Sequence, residues 1–271
     1  MVATIPQSIT IRGVKVYYEL TPWKDKPVIV LIHGFLSSSF SYRRLIPLLK
    51  ESYTVLAVDL PPFGKSAKVK NFVYSYANMA QIVIELLQRL QLTQVTLVGH
   101  SMGGQIALNI AKQKPDIVKK LILLCSSGYL SKASKPMIYF SYLPFFSLVI
   151  KAWLYSKGTH GNLQNSVFDH SLIDEEMLRG YEEPFHDESI YHALTKMLRH
   201  REGDLPAEDL RTIRTPSLLI WGENDKVVPI EIGERLHKDL PSSHFVSFTQ
   251  TGHLVPEERP LPVYEHMLEF I

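Results

Sequence analysis

The feature that most restricts this chain is a run of apolar, largely β-branched residues that returns along it without polar interruption. It appears as "VIVLIHG" (28–34), "YTVLAVDL" (53–60), "QVTLVGH" (94–100), "KLILLCSS" (120–127) and "SLLIWGEND" (217–225), and more weakly as "HFVSFTQTG" (244–252). A strand that is apolar on both faces must be covered on both, the condition of a parallel sheet between helical layers. Helical patterns fall between the runs. The segment 76–90 gathers Met79, Ile82, Val83, Leu86, Leu87 and Leu90 on one face. "GGQIALNIAKQK" (103–114) follows the third run, and "PLPVYEHMLEFI" closes the chain. Strands alternating with helices predict an α/β fold with a mostly parallel sheet. Ahead of the first run, "SITIRGVKVYYEL" (8–20) alternates apolar and polar residues around Arg12-Gly13 and predicts a hairpin.

The alternation stops between Gly128 and Gly203 and resumes after Pro206. Helix-like segments fill the gap. "DESIYHALTKMLRHREG" (187–203) opens with acids and closes with bases, the order a helix dipole favours, so these charges require no functional role. The expectation is one core domain, residues 1–127 and 204–271, with residues 128–203 inserted between two strands of its sheet.

Composition narrows the function. The chain has 271 residues, 29 Lys plus Arg against 27 Asp plus Glu, and no basic run, so no field draws it to nucleic acid. The single cysteine, Cys125, excludes an intramolecular disulfide and a cysteine-based metal cluster. Asp, Glu and His are scattered without zinc-type spacing, and no metal or organic cofactor is expected. The start, "MVATIPQSITIRG", lacks a basic region followed by an apolar one. The uncharged stretch from Pro136 to Ile150 is shorter than the ~20 residues that span a bilayer, and Pro144 interrupts it. A soluble, cytoplasmic protein without stable membrane insertion is expected. Its oligomeric state is not legible.

The candidate chemistry centres on "VTLVGHSMGG" (95–104), where Ser101 stands between Gly99 and Gly103 at a strand-to-helix junction. On a G-x-S-x-G turn the serine oxygen projects from the end of the sheet, and neighbouring backbone passes too close for side chains at the glycines. The helix that begins there aims free N–H groups at the site, where a developing negative oxygen is stabilised. Alone the pattern is weak, since chance places it in roughly one chain in ten of this length. A glycine-rich junction that binds phosphate is the alternative, although neither G-x-G-x-x-G after the first strand nor a Walker loop is present.

A serine attacks only if a base removes its proton and an acid orients that base. These partners follow the serine as acid and then histidine, each in a loop after a later strand. Asp225 ends the run at 217–225, and His253 follows the next strand in "QTGHLVPEERP". Glu223 is the rival acid, expected at a helix cap or the surface. His33 and His100 are the rival bases. Both are expected to be buried structural histidines, with His100 pointing away from Ser101 by strand alternation. The loop after the first parallel strand, "HGFLSSSF", should supply the second oxyanion donor. The N–H groups of Phe35 and Met102 are the candidates, and one of Ser37, Ser38 and Ser39 is a candidate helix cap.

In combination, "HGF" at 33, "DLPPFGKS" at 59, "GHSMGG" at 99, "WGENDKVVP" at 221 and "GHLVPEERP" at 252 resemble the α/β-hydrolase fold family over nearly the whole chain outside 128–203. The resemblance implies a mostly parallel eight-stranded sheet flanked by helices, with a helical cap inserted after the sixth strand. It also implies a Ser101–Asp225–His253 triad with oxyanion donors at Phe35 and Met102. One departure is Pro62, where many relatives carry glycine, which stiffens that loop. Relatives that open epoxides or remove halide have aspartate at the elbow, so Ser101 implies acyl transfer to water. The apolar stretch 136–155, with Phe145, Phe146 and Trp153, either lines a pocket for a small hydrophobic ester, rests on a membrane surface, or packs the cap on the core. The expected activity is hydrolysis of small or medium-chain hydrophobic esters. Alternatives on the same triad are carbon–carbon bond hydrolysis, lactonase or perhydrolase activity, or a ligand receptor.

Overall fold

In the computed structural model, which describes residues 5–21 and 26–271, each apolar run forms a strand of one eight-stranded sheet. Residues 1–4 and 22–25 of the expected core lie outside the described residues. The strands are β1 (Ile5–Ile11), β2 (Val14–Leu20), β3 (Val28–Ile32), β4 (Thr54–Val58), β5 (Val95–His100), β6 (Val118–Leu124), β7 (Ser217–Gly222) and β8 (Ser243–Phe248). Their order in space is β1-β2-β4-β3-β5-β6-β7-β8. β1 and β2 form the expected hairpin, β2 runs antiparallel to β4, and every later pairing is parallel.

The helices α1 (Ile46–Leu49), α2 (Tyr76–Arg89) and α3 (Met102–Gln113) precede β6. Between β6 and β7 come α4 (Lys135–Phe140), α5 (Phe146–Ser166), α6 (Glu175–Glu182), α7 (Ser189–His200) and α8 (Ala207–Leu210). The chain closes with α9 (Ile230–Asp239), α10 (Val255–Glu258) and α11 (Pro260–Phe270). α5 kinks at Gly158, whose φ of +63° breaks the helical path.

The parallel strands are continuous apolar runs because both faces are covered. Every residue of β4, β5 and β7 is buried. α2 starts at Ser75, whose Oγ accepts the Asn78 N–H, and buries Met79, Ile82, Val83, Leu86 and Leu87 as the periodicity predicts. The strands end together at one edge of the sheet, so the loops after β3, β5, β7 and β8 meet there.

Two buried carboxylates fix those loops. Asp59, after β4, accepts the Ser39 N–H through Oδ1 at 2.7 Å and the Lys65 N–H through Oδ2 at 2.8 Å. Glu257 on α10, its side chain 1% exposed, accepts from Arg43 Nε at 3.0 Å and pairs with Arg44, whose Nε lies 3.2 Å from Oε2 and whose Nη1 donates to the Glu257 carbonyl. This clamp ties the segment after β8 to the segment after β3. Without Glu257, Arg43 would keep only its exposed partner Glu176, 3.1 Å away, in place of a buried carboxylate. Glu257→Ala should therefore lower unfolding stability by about 3 kcal/mol in urea titration. A loss below about 1 kcal/mol would mean the clamp holds little.

Candidate active site

β5 ends at His100, and Ser101 takes φ +53° and ψ −121° before α3 begins at Met102. A non-glycine residue pays a strain of order 1–3 kcal/mol there and keeps it only if its surroundings enforce it. They do. The Ser101 N–H donates to Leu124 O at 3.0 Å, and its carbonyl accepts from Gly104 N–H at 2.9 Å and Ser127 N–H at 3.0 Å. The glycines serve close approach, as the sequence pattern requires. A Cβ on Gly99 would lie 2.4 Å from Gly103 O, and one on Gly103 would lie 2.0 Å from Ile32 O.

After β7, Asp225 is buried and fully engaged. Its Oδ1 accepts the N–H groups of Val227 at 2.7 Å and Val228 at 2.8 Å, and its Oδ2 lies 2.7 Å from His253 Nδ1. An ionised carboxylate only accepts, so Nδ1 carries the proton and Nε2 is left basic. The His253 N–H donates to Ser166 O at the end of α5, 2.6 Å away. Glu258 secures the same loop, accepting from the Gly252 N–H at 2.9 Å and the Phe168 N–H at 2.8 Å.

Ser101 and His253 line a single cavity of about 300 Å³ together with Gly34, Phe35, His100 and Trp153. A second cavity of about 440 Å³ shares Phe35, Ser101, Trp153 and Val227 with the first and continues over Met102, Leu194 and Met197. Among the described residues, the Phe35 and Met102 N–H groups donate to no other protein group, and Ser101 Oγ makes no hydrogen bond.

The rival residues fall into place. Glu223 is exposed and accepts from Ser247 Oγ at 2.9 Å. Ser38 is the capping serine, its Oγ accepting the Phe40 N–H. His33 is buried; Nε2 accepts the Leu60 N–H at 2.9 Å, so Nδ1 donates to Gly34 O at 2.7 Å.

His100 departs from the expectation. Its ring lies 4.7 Å from that of His253, and its Nε2 donates to His253 O at 2.9 Å. It faces the same cavity as Ser101 because strand alternation ends where the backbone leaves extended geometry, and Ser101 is already in the turn. Its Nδ1 is buried without a hydrogen-bond partner among the described residues.

Phe145 and Phe146 line neither cavity that holds Ser101. The chain turns after Pro144, and Phe145 enters α5 with φ +65° and its side chain 77% exposed. Trp153 is the expected aromatic that reaches the site. Sequence reasoning also missed Glu257 and Glu258, visible only as acids in "VPEERP".

Cys125, Asp225 and His253 place possible ligand atoms within 4.8 Å of one another. Burial and the neighbouring Asp225 carboxylate push the Cys125 thiol well up, so it stays protonated rather than offering a thiolate. His253 Nδ1 is committed to Asp225. A protonated thiol and a committed imidazole nitrogen make this trio a poor cation site.

The chain belongs to the alpha/beta hydrolase fold family, whose model matches residues 27–150 and 160–260. It is 54% identical to the "uncharacterized hydrolase YugF" of Bacillus subtilis (strain 168), over 97% of this chain and 96% of that protein. It is 28% identical to a 2-hydroxy-6-oxononadienedioate/2-hydroxy-6-oxononatrienedioate hydrolase of Paraburkholderia phymatum, over 91% of this chain and 87% of that one. The crystal structure of a meta-cleavage product hydrolase, CumD, from Pseudomonas fluorescens IP01 superposes with a TM-score of 0.80 at 23% identity, covering 97% of this chain and 96% of that one, a likeness of fold alone.

Burial holds His33 and His100 neutral. It lowers the pKa of both, and for His100, with the His253 charge adding to it, to about 3. Unfolded, each returns to about 6.5. The stability this represents is full above about pH 6.5 and, for His100, is lost as pH falls toward about 3. Asp204, which burial raises to about 6, acts in the opposite sense, so a difference between two proteins is the cleaner readout. Between about pH 7 and about pH 5, the urea midpoint of wild type should fall more steeply than that of His100→Gln, which keeps a donor for His253 O. Equal slopes would mean His100 protonates in the folded state.

Proposed function

We propose that the protein is a serine hydrolase that cleaves carboxylic esters of small or medium-chain hydrophobic substrates through an acyl-enzyme on Ser101. The observation that carries this reading is the buried Asp225–His253 hydrogen bond beside a serine held at φ +53° on the wall of a shared cavity. His253 Nε2 takes the proton from Ser101 Oγ as that oxygen attacks the ester carbonyl. The oxyanion forms against the N–H groups of Phe35 and Met102, at the start of α3 where the helix dipole adds to them. His253 then protonates the departing alcohol. A water molecule, deprotonated by the same nitrogen, hydrolyses the acyl-enzyme and frees Ser101.

The substrate class follows from the larger cavity. Its walls of Met102, Ile150, Leu154, Leu194 and Met197 suit an apolar chain. Residues 128–203 are read as a helical cap over the core formed by 1–127 and 204–271, with Trp153 contributing its face to the pocket. A second reading, carbon–carbon bond hydrolysis, is favoured by the smaller cavity, where Asn162, Asn165 and Ser166 offer polar groups to a carboxylate-bearing chain. The named activity of the Paraburkholderia relative is of this kind.

Hydrolysis of p-nitrophenyl esters of increasing acyl length separates these readings. Turnover should peak at a short or medium chain and fall by about 10⁴-fold or more in Ser101→Ala. Asp225→Asn should lower kcat by about 10⁴-fold by leaving His253 in the wrong tautomer, while Glu223→Gln should stay within about twofold. Ester turnover that survives in Ser101→Ala would overturn the assignment. Turnover confined to 2-hydroxy-6-oxo-dienoates would select the second reading.

A further inference from the structure

α4 is an apolar helix without a buried residue. Tyr139 and Phe140 on it, Tyr142 and Leu143 in the following turn, and Phe145 and Leu148 entering α5 are each between 57% and 77% exposed. The face is held open rather than frayed. Arg199 on α7 donates through Nε to Ser141 Oγ at 2.8 Å, and its guanidinium lies 4.1 Å from the centre of the Tyr142 ring. A contiguous apolar surface of this kind marks an interaction site.

We propose that this face docks on an anionic lipid bilayer. Charge selects that occupant. Residues 117–168 contain no aspartate or glutamate, and the face is bordered by Lys132 and Lys135. Both lysines are exposed and form no ion pair among the described residues. Lys151 is already paired with Glu188. Apolar and aromatic side chains with a basic border are the pattern that binds the boundary of headgroups and acyl chains, where tyrosine and tryptophan are favoured. A second copy is a poor occupant, since the same stretch of its chain carries no aspartate or glutamate to meet these lysines. Docking is superficial, because no described helix is long and apolar enough to cross a membrane.

The face also leads to the site. Val149 and Trp153 lie one turn apart on α5; Val149 belongs to the exposed surface and Trp153 lines both cavities that hold Ser101. A bilayer against α4 would thus lie beside the mouth of the 440 Å³ apolar cavity. Docking does not itself require Ser101 chemistry, so its failure and the failure of the hydrolytic reading can be told apart.

The test is co-sedimentation with vesicles of equal phosphatidylglycerol and phosphatidylcholine, and with phosphatidylcholine alone. Wild type and Ser101→Ala should both bind the mixed vesicles, more weakly as salt rises, and should bind phosphatidylcholine about tenfold less or weaker. Phe140→Asp with Leu143→Asp should lose about tenfold or more in binding. Lys132→Glu with Lys135→Glu should lose about tenfold or more on the mixed vesicles. Both double variants should turn over a short water-soluble ester as wild type does, which certifies their fold. No binding to mixed vesicles, or equal binding to both compositions, would overturn the proposal. So would a concentration-dependent dimer, seen by analytical ultracentrifugation, that Phe140→Asp with Leu143→Asp dissolves.

Discussion

In the proposed reaction His253 can act as a base toward Ser101 only if its other ring nitrogen is tied down, and the contacts around His253 meet that constraint. The 2.7 Å contact between Asp225 Oδ2 and His253 Nδ1 sets the tautomer. Asp225 is itself immobilised, because the N–H groups of Val227 and Val228 occupy its other oxygen. The His253 backbone is gripped on both sides, its N–H by Ser166 O and its carbonyl by His100 Nε2. The imidazole is thus set by contacts from β5, α5 and the loop after β7. None of these is adjacent to it in sequence.

This arrangement couples the helices between β6 and β7 to the proposed chemistry. They reach the site through Ser166 O on the His253 N–H and through Trp153 on the cavity wall. Glu258 reinforces the first link by bridging Gly252 and Phe168. A displacement of the end of α5 would therefore be felt at His253 before it reached Ser101, whose own geometry is held by β6 through Leu124 O. Ser101 is held by the sheet, while His253 is held by both the sheet and the end of α5.

The sheet and the positions of Ser101, Asp225 and His253 were legible because they rest on local rules. A run such as 28–34 is apolar on both faces only if both are covered, and a G-x-S-x-G turn needs its glycines because Gly103 sits against Ile32 O. What escaped depends on contacts distant in sequence. His100 was expected to point away from Ser101, an inference valid only within extended backbone. Its grip on His253 O spans residues that no spacing relates. Glu257 and Glu258 look like surface acids in "VPEERP" until Arg43 and Phe168 arrive from elsewhere. The stretch 136–155 is compatible in sequence with a pocket wall, a membrane surface or a packed cap, and the break at Pro144 divides it. Trp153, itself 53% exposed, lines both cavities that hold Ser101, while Phe140 and Phe145 line neither.

In the proposed reaction Ser101, alone among the serines of this chain, carries the acyl group. Peptide mass spectrometry after reaction with a fluorophosphonate tests it directly, since phosphonylation requires a serine activated by the neighbouring histidine. A single phosphonyl adduct is expected, on the peptide containing Ser101. No adduct on folded protein, or an adduct on Ser37, Ser38 or another serine, would contradict it.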